Sequence, residues 1–372
     1  MTKNKPEDKK DGQRKNKRDK PDKPNWRKIQ REWRQWKEEK LLKRLDRERE
    51  AKEAAEENLR NGEASSPGRS WTVSIALPGS ILANAQSPEL KAYLAGQIGR
   101  AAAIFCVDEI VIFDETAQLT ETAVEINDVM SDPNLHLCHL LEYLECPQYL
   151  RKSLFPLNPA LRFAGLMNPL DAPHHLRSND LSVPYREAVI LDRKGKRGSW
   201  AIGGLNRDIA TDRQLEPGLR VTLKLNSPNA ETPLSPDAKK FRANIVSPDS
   251  PRTEAGLYWG YRVRLARSLS KVFKECPYAK KYDLILGTSE KGQPVSEVEK
   301  LEFKHLLIVF GGVQGLESCV DNDESIRATN PADLFDLYLN TCEQQGSRTI
   351  RTEEAVLISL SGLKHKFAPL TQ

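Results

Sequence analysis

Residues 306–315 read LLIVFGGVQG, and residues 335–360 read FDLYLNTCEQQGSRTIRTEEAVLISL. Leu306, Leu307, Ile308, Val309 and Phe310 are apolar without alternation, the pattern of a strand covered on both faces in a parallel sheet. Gly311, Gly312 and Gly315 follow at once, so the backbone there can approach a small molecule with no side chain in the way. In the second stretch, Asn340, Thr341 and Cys342 leave another apolar run, and Gly346 is expected to make the turn. Thr352 reads as a helix N-cap, with Glu353 and Glu354 in the first turn, where the helix dipole favours negative charge. Two apolar strands that end in ligand-sized turns, the second leading into a helix, predict an α/β domain.

The rest of the chain extends that pattern. Residues 71–77 form an alternating strand that stops at Pro78-Gly79. Ser87 and Pro88 then open an Ala-rich helix to about Cys106, and residues 110–113 form a second strand. Strand, helix and strand at this spacing make a parallel crossover unit. Residues 135–150 read as one helix ended near Pro147. Its His136, Cys138 and His139 match no zinc spacing and stand among leucines at helical intervals, so they read as helix residues, and no metal is expected. Residues 254–275 also read as a helix, with Leu257, Tyr261, Leu265 and Leu269 as its stripe. Residues 282–286 form a strand that runs into the loop Gly287–Gly292, GTSEKG.

Between residues 171 and 251 the texture changes. Short runs at 185–191, 199–205, 219–225 and 241–246 are separated by Gly, Pro, Asp and Asn, which predicts a small β-barrel inserted into the domain. Arg193, Lys194, Lys196, Arg197 and Trp200 give it a basic, aromatic-bearing edge of the kind that binds single-stranded nucleic acid.

Charge is unevenly distributed. Residues 1–60 hold 22 Lys+Arg against 14 Asp+Glu, whereas the remainder carries a net −3 of the chain's +5. Residues 1–23 have almost nothing to bury and are expected to be disordered, and residues 26–59 to form an exposed basic helix. Such a segment neutralises RNA phosphates, serves as an import signal, or is simply a solvated helical arm. Six cysteines without a CxxC pair, in a chain of 372 residues, suggest a reducing compartment. No run approaches the ~20 apolar residues of a membrane span, and the first residues are charged, so no membrane partner and no secretory signal are expected.

The two opening stretches resemble the cofactor-binding end of the SPOUT, or alpha/beta-knot, RNA methyltransferases. More narrowly, residues 71–115, together with RTEAGLYWGYRVRLA at 252–266 and GTSEKG at 287–292, resemble the eukaryotic 28S rRNA uridine-N3 methyltransferases, a group with archaeal relatives. The resemblance runs from about Trp71 to the C-terminus. It implies a trefoil-knot methyltransferase domain at 70–170 and 252–372, an OB-like barrel at 171–251 and a basic tail at 1–69. It also implies S-adenosylmethionine as methyl donor, ribosomal RNA as substrate, a homodimer, and a nuclear or nucleolar location. By the same resemblance Lys291, Gly311, Gly312, Asn340, Thr341, Gly346, Ser347, Ile350 and Thr352 hold the donor. Arg348 and Arg351 are expected to stabilise negative charge on the target base, and Glu354 or Glu353 to act as base; the alternative for the two glutamates is simple pairing with the helix dipole. The alternative is a non-catalytic factor that keeps the fold and uses tail and barrel to bind RNA or the cytoskeleton.

Overall fold

The computed structural model describes residues 68–119, 129–195, 198–226, 241–279 and 281–370. The predicted basic segment therefore lies outside the described residues except for its last two positions, as do Lys196 and Arg197. In chain order the first elements are β1 (Thr72–Pro78), α1 (Pro88–Ile104), β2 (Glu109–Phe113), α2 (Pro133–Glu145) and α3 (Gln148–Leu154). Ser87 caps α1 by accepting from Leu90 N, with Pro88 at the first helical position. The single helix expected over 135–150 is two, because Pro147 cannot donate within a helix and the chain re-enters at Gln148.

Next come β3 (Tyr185–Lys194), β4 (Ser199–Ile202), β5 (Ile209–Thr211), β6 (Arg220–Leu225) and β7 (Phe241–Val246), which close into a five-stranded barrel in the order β3-β4-β5-β7-β6. Ala188, Ile190, Ala201, Ile209, Leu223 and Phe241 fill it. The three-residue β5 is too short to show in the sequence.

The chain returns through α4 (Ser250–Ala255), β8 (Arg262–Ala266) and α5 (Leu269–Lys274). This replaces the helix expected over 254–275. Gly256 adopts φ 65° and ends α4, and Gly260 adopts φ 83°, so the apolar stripe cannot continue as a helix. β8 instead pairs with β2, and Arg264 Nε donates to Glu109 at 2.8 Å.

The last part comprises β9 (Leu284–Pro294), β10 (Leu301–Phe303), β11 (His305–Val309), α6 (Gly315–Asn322), β12 (Leu337–Asn340), α7 (Thr352–Lys364) and β13 (Phe367–Pro369). Among the described residues β12-β9-β11-β1-β2-β8 make one sheet, parallel at every pairing. Along β1, Val73, Ile75 and Leu77 enter one core with Ile98 of α1, Leu141 of α2 and Leu360 of α7. Ala76, Val111, Leu307 and Val309 enter the opposite core with Leu269 of α5 and Leu316 of α6. Both faces are thus covered, as the unalternating strand at 306–310 requires. The loop expected at 287–292 is a bulge within β9: pairing with β12 jumps from Tyr338↔Gly287 to Leu339↔Gln293. No described helix is long and apolar enough to cross a membrane.

Candidate active site

At the carboxyl ends of β1, β9, β11 and β12 lies a cavity of about 690 Å3. Open parallel sheets bind ligands at this end, where strand termini leave backbone groups unpaired. The β9 bulge supplies Thr288, Ser289, Glu290 and Lys291, the turn after β11 supplies Phe310 to Glu317, and the segment from β12 into α7 supplies Asn340 to Cys342, Gln345 and Thr349 to Glu353. Three stretches remote in sequence therefore share one hollow.

Short polar bonds fix its walls. Thr288 Oγ1 donates to Val309 O at 3.0 Å and Asn340 Nδ2 to Glu290 O at 3.0 Å, so the bulge is tied to both neighbouring strands. Thr341 Oγ1 meets Ser359 Oγ at 2.6 Å, which holds the exit of β12 against α7. At Gly311 an added Cβ would stand 2.8 Å from the carbonyl carbon of Gly315 and 2.9 Å from Leu316 N, so the tight turn into α6 admits only glycine. Lys291 Nζ bonds Glu317 Oε1 at 2.7 Å, and this bond holds the Glu317 carboxyl below its ordinary pKa.

Of the residues singled out in the sequence, Lys291, Gly311, Gly312, Asn340, Thr341, Ile350, Arg351 and Thr352 line the cavity. Gly346, Ser347, Arg348 and Glu354 do not. Gly346 and Arg348 are exposed, and Ser347 Oγ turns back to Thr349 O at 2.8 Å. The turn expected of Gly346 is made by Gln344, at φ 55°. Thr352 is the first helical residue rather than the N-cap, which is Arg351, and its hydroxyl donates to Gly311 O at 3.0 Å. Glu354 serves the helix end, accepting from Arg351 N at 3.0 Å, whereas Glu353 faces the cavity. Thr288 and Gln314 belong to the loops picked out in the sequence without being named as site residues, whereas Glu317, in the first turn of α6, lies beyond them and carries no motif.

The model of the family described as "Putative RNA methyltransferase" matches residues 72–363, the whole sheet and the barrel within it. The chain belongs to this RNA methyltransferase family. It is 52% identical over 314 residues to the human 28S rRNA (uridine-N(3))-methyltransferase, covering 83% of this chain and 82% of that protein. The mouse protein of the same name is 52% identical over 307 residues, covering 81% and 78%. The Drosophila protein of that name is 50% identical over 311 residues, covering 80% of this chain and 63% of that protein. The family match thus coincides with the part of the chain that builds the cavity.

Proposed function

We propose that this protein is a homodimeric methyltransferase that uses S-adenosylmethionine to methylate N3 of a uridine in large-subunit ribosomal RNA. The observation that carries the reading is the convergence of the three turns on one cavity at the carboxyl ends of the strands, in a chain half identical to proteins named for that reaction.

The donor set suits S-adenosylmethionine. A cavity of about 690 Å3 is of the size that holds a ligand of this kind. Phe310, Leu316 and Ile350 offer apolar surface to the adenine; Asn340 and Thr341, which also bond Glu290 O and Ser359 Oγ, keep a second amide hydrogen and further hydroxyl capacity for the ribose; and Lys291, which also bonds Glu317, keeps two ammonium hydrogens for the carboxylate. The sulfonium supplies an electrophilic methyl carbon, and the protein's work is to hold N3 in line with it. Arg351 is the lining arginine placed to stabilise negative charge on the uracil carbonyls as N3 loses its proton.

A second copy would cover apolar surface on α1 and α7, which pack together and carry Leu90, Tyr93 and Leu357 exposed at 52%, 48% and 46%. A dimer gives Tyr93→Asp a monomeric elution volume, and an unchanged volume overturns this part of the reading. The rRNA target and the basic tail together favour a nuclear or nucleolar location. The decisive experiment is nucleoside mass spectrometry of large-subunit rRNA from cells lacking the protein. Loss of 3-methyluridine at one position is the expected result, and its retention overturns the assignment. Calorimetry with S-adenosylhomocysteine is expected to give binding on the order of micromolar Kd.

A further inference from the structure

We infer that Glu353 takes the N3 proton of the target uracil and, by requiring that proton, selects uridine over cytidine. The inference rests on the uridine-N3 reading above and adds the residue that performs the recognition.

Three carboxylates line the cavity: Glu290, Glu317 and Glu353. Glu290 is exposed on the β9 bulge, and Glu317 is engaged by Lys291 at 2.7 Å. The Glu353 side chain is 10% exposed, and the cation beside it, Arg351 Nη1, stands 3.9 Å away, too far for a hydrogen bond. Glu354 is excluded by helix geometry. Successive helical residues point about 100° apart, and Glu354 is turned to the Arg351 amide. The charged groups that share the cavity with Glu353 are Arg351 beside α7, Lys291 and Glu290 on β9, and Glu317 on α6.

Uracil N3 bears a hydrogen, and its ring nitrogen is a poor nucleophile until that hydrogen leaves. A carboxylate with free acceptor capacity binds the N3–H and draws the proton away. Cytosine presents a lone pair at N3, which an enclosed carboxylate repels, so the group that activates the correct base rejects the wrong one. In the step itself the N3–H bond breaks and its proton passes to Glu353 Oε. The N3 electron pair forms the bond to the methyl carbon, and the pair of the breaking C–S bond stays on sulfur. The resulting glutamic acid returns its proton to water. Arg351 offsets the charge that builds on the uracil oxygens meanwhile.

The test uses the full chain with an rRNA fragment, S-adenosylmethionine and the variants Glu353→Gln and Glu353→Asp. Glu353→Gln is expected to lower kcat by about 10²–10⁴-fold while leaving S-adenosylhomocysteine affinity and melting temperature unchanged. Its rate should climb with pH where the wild type is flat, because only uridine already deprotonated reacts. Substituting 5-fluorouridine, whose N3–H is more acidic, should restore part of the lost rate. Glu353→Asp keeps a carboxylate and should keep the flat profile at reduced rate. Without turnover, in the presence of S-adenosylhomocysteine, wild type should prefer a uridine over a cytidine fragment in binding, and Glu353→Gln should lose that preference. A Glu353→Gln enzyme with wild-type rate, pH profile and base preference overturns the inference, as does one that loses S-adenosylhomocysteine binding along with activity. A wild type that binds S-adenosylhomocysteine but methylates no uridine sinks the proposed function instead.

Discussion

Arg220 on β6 shows how single side chains fasten the barrel to the sheet domain. Its guanidinium bonds both oxygens of Glu145, at 2.7 and 3.0 Å, and its Nε bonds Glu187 at 2.7 Å. Glu145 ends α2 and Glu187 belongs to β3, so one cation joins a helix of the sheet domain to two barrel strands. Gly260 adjoins this cluster, and a Cβ there would meet Glu145 Oε1 at 2.5 Å. Burial alone would push the Glu145 carboxyl up, but Arg220 and His174 outweigh it and hold it at about 2, against an ordinary 4.5. A folded-state pKa below the unfolded one contributes stability above the unfolded value and loses it as pH falls through the folded value. This contribution, on the order of 3 kcal/mol, is therefore lost from about pH 4.5 down to about pH 2. Arg220→Met takes the guanidinium from two buried carboxylates, leaving Glu145 with His174 and Glu187 with Thr222 and Trp259, and is expected to cost roughly 3 kcal/mol at pH 7. The gap between wild type and variant should narrow as the pH drops through that window, which urea denaturation at stepped pH measures. A gap that stays constant with pH would mean the ion pairs carry none of the loss.

Among the elements, α7 closes the cavity because its first residue reaches back to the turn after β11. The bond from Thr352 Oγ1 to Gly311 O is the direct polar link between them. Thr352→Val keeps the shape and removes the donor, which should cost about 1 kcal/mol and weaken S-adenosylhomocysteine binding several-fold by calorimetry, with the fold intact by circular dichroism. Unaltered affinity would show that this link does not set the cavity wall. The sequence revealed the strands of this region because burial on both faces leaves unbroken apolar runs, as at Leu306 to Phe310. It revealed α1 through its capping serine and first-turn proline. It misled at 254–275, where Leu257, Tyr261, Leu265 and Leu269 recur at four-residue intervals although two left-handed glycines and a strand divide them. Three turns were recognisable as ligand-binding by their glycines, yet which side chains face inward depends on the register slip between β9 and β12 and on the helical phase of α7. Hence Glu353 and Glu354 are equivalent as letters, yet one lines the cavity and the other turns to the Arg351 amide.

At the scale of the whole molecule, barrel and cavity occupy opposite ends of the sheet. A second cavity of about 660 Å3 runs where barrel strands β3 and β6 meet Thr72, Asp108 and Glu109, at the amino ends of β1 and β2. The cavity of about 690 Å3 opens at the carboxyl ends. Under the proposed function, RNA gripped by the barrel would therefore have to extend past the sheet edge, or cross to a second copy, to reach a cavity. On the barrel surface Arg193 lies 4.3 Å over the Trp200 ring and pairs with Asp208 at 2.8 Å, and under the proposed function this pair is part of the edge that grips RNA. Trp200→Ala is expected to raise KM for RNA several-fold and to leave S-adenosylhomocysteine affinity unaltered, which steady-state kinetics and calorimetry separate.

Long-range attraction to a polyanion needs net positive charge, and residues 61–372 together carry −3. The surplus of +8 resides in residues 1–60, which lie outside the described residues. Each phosphate neutralised by a lysine or arginine releases a counterion and steepens the fall of affinity with salt, by about 0.7 per contact on a logarithmic scale for single strands. Deleting residues 1–60 should therefore weaken RNA binding most at low salt and flatten its salt dependence. Neither the S-adenosylhomocysteine affinity nor the uridine preference of the remaining chain should change, since the described residues that line the cavity run from Asn84 to Ser359. Binding titrations of both forms at stepped salt concentrations measure this, and equal slopes would assign the phosphate grip to the barrel alone.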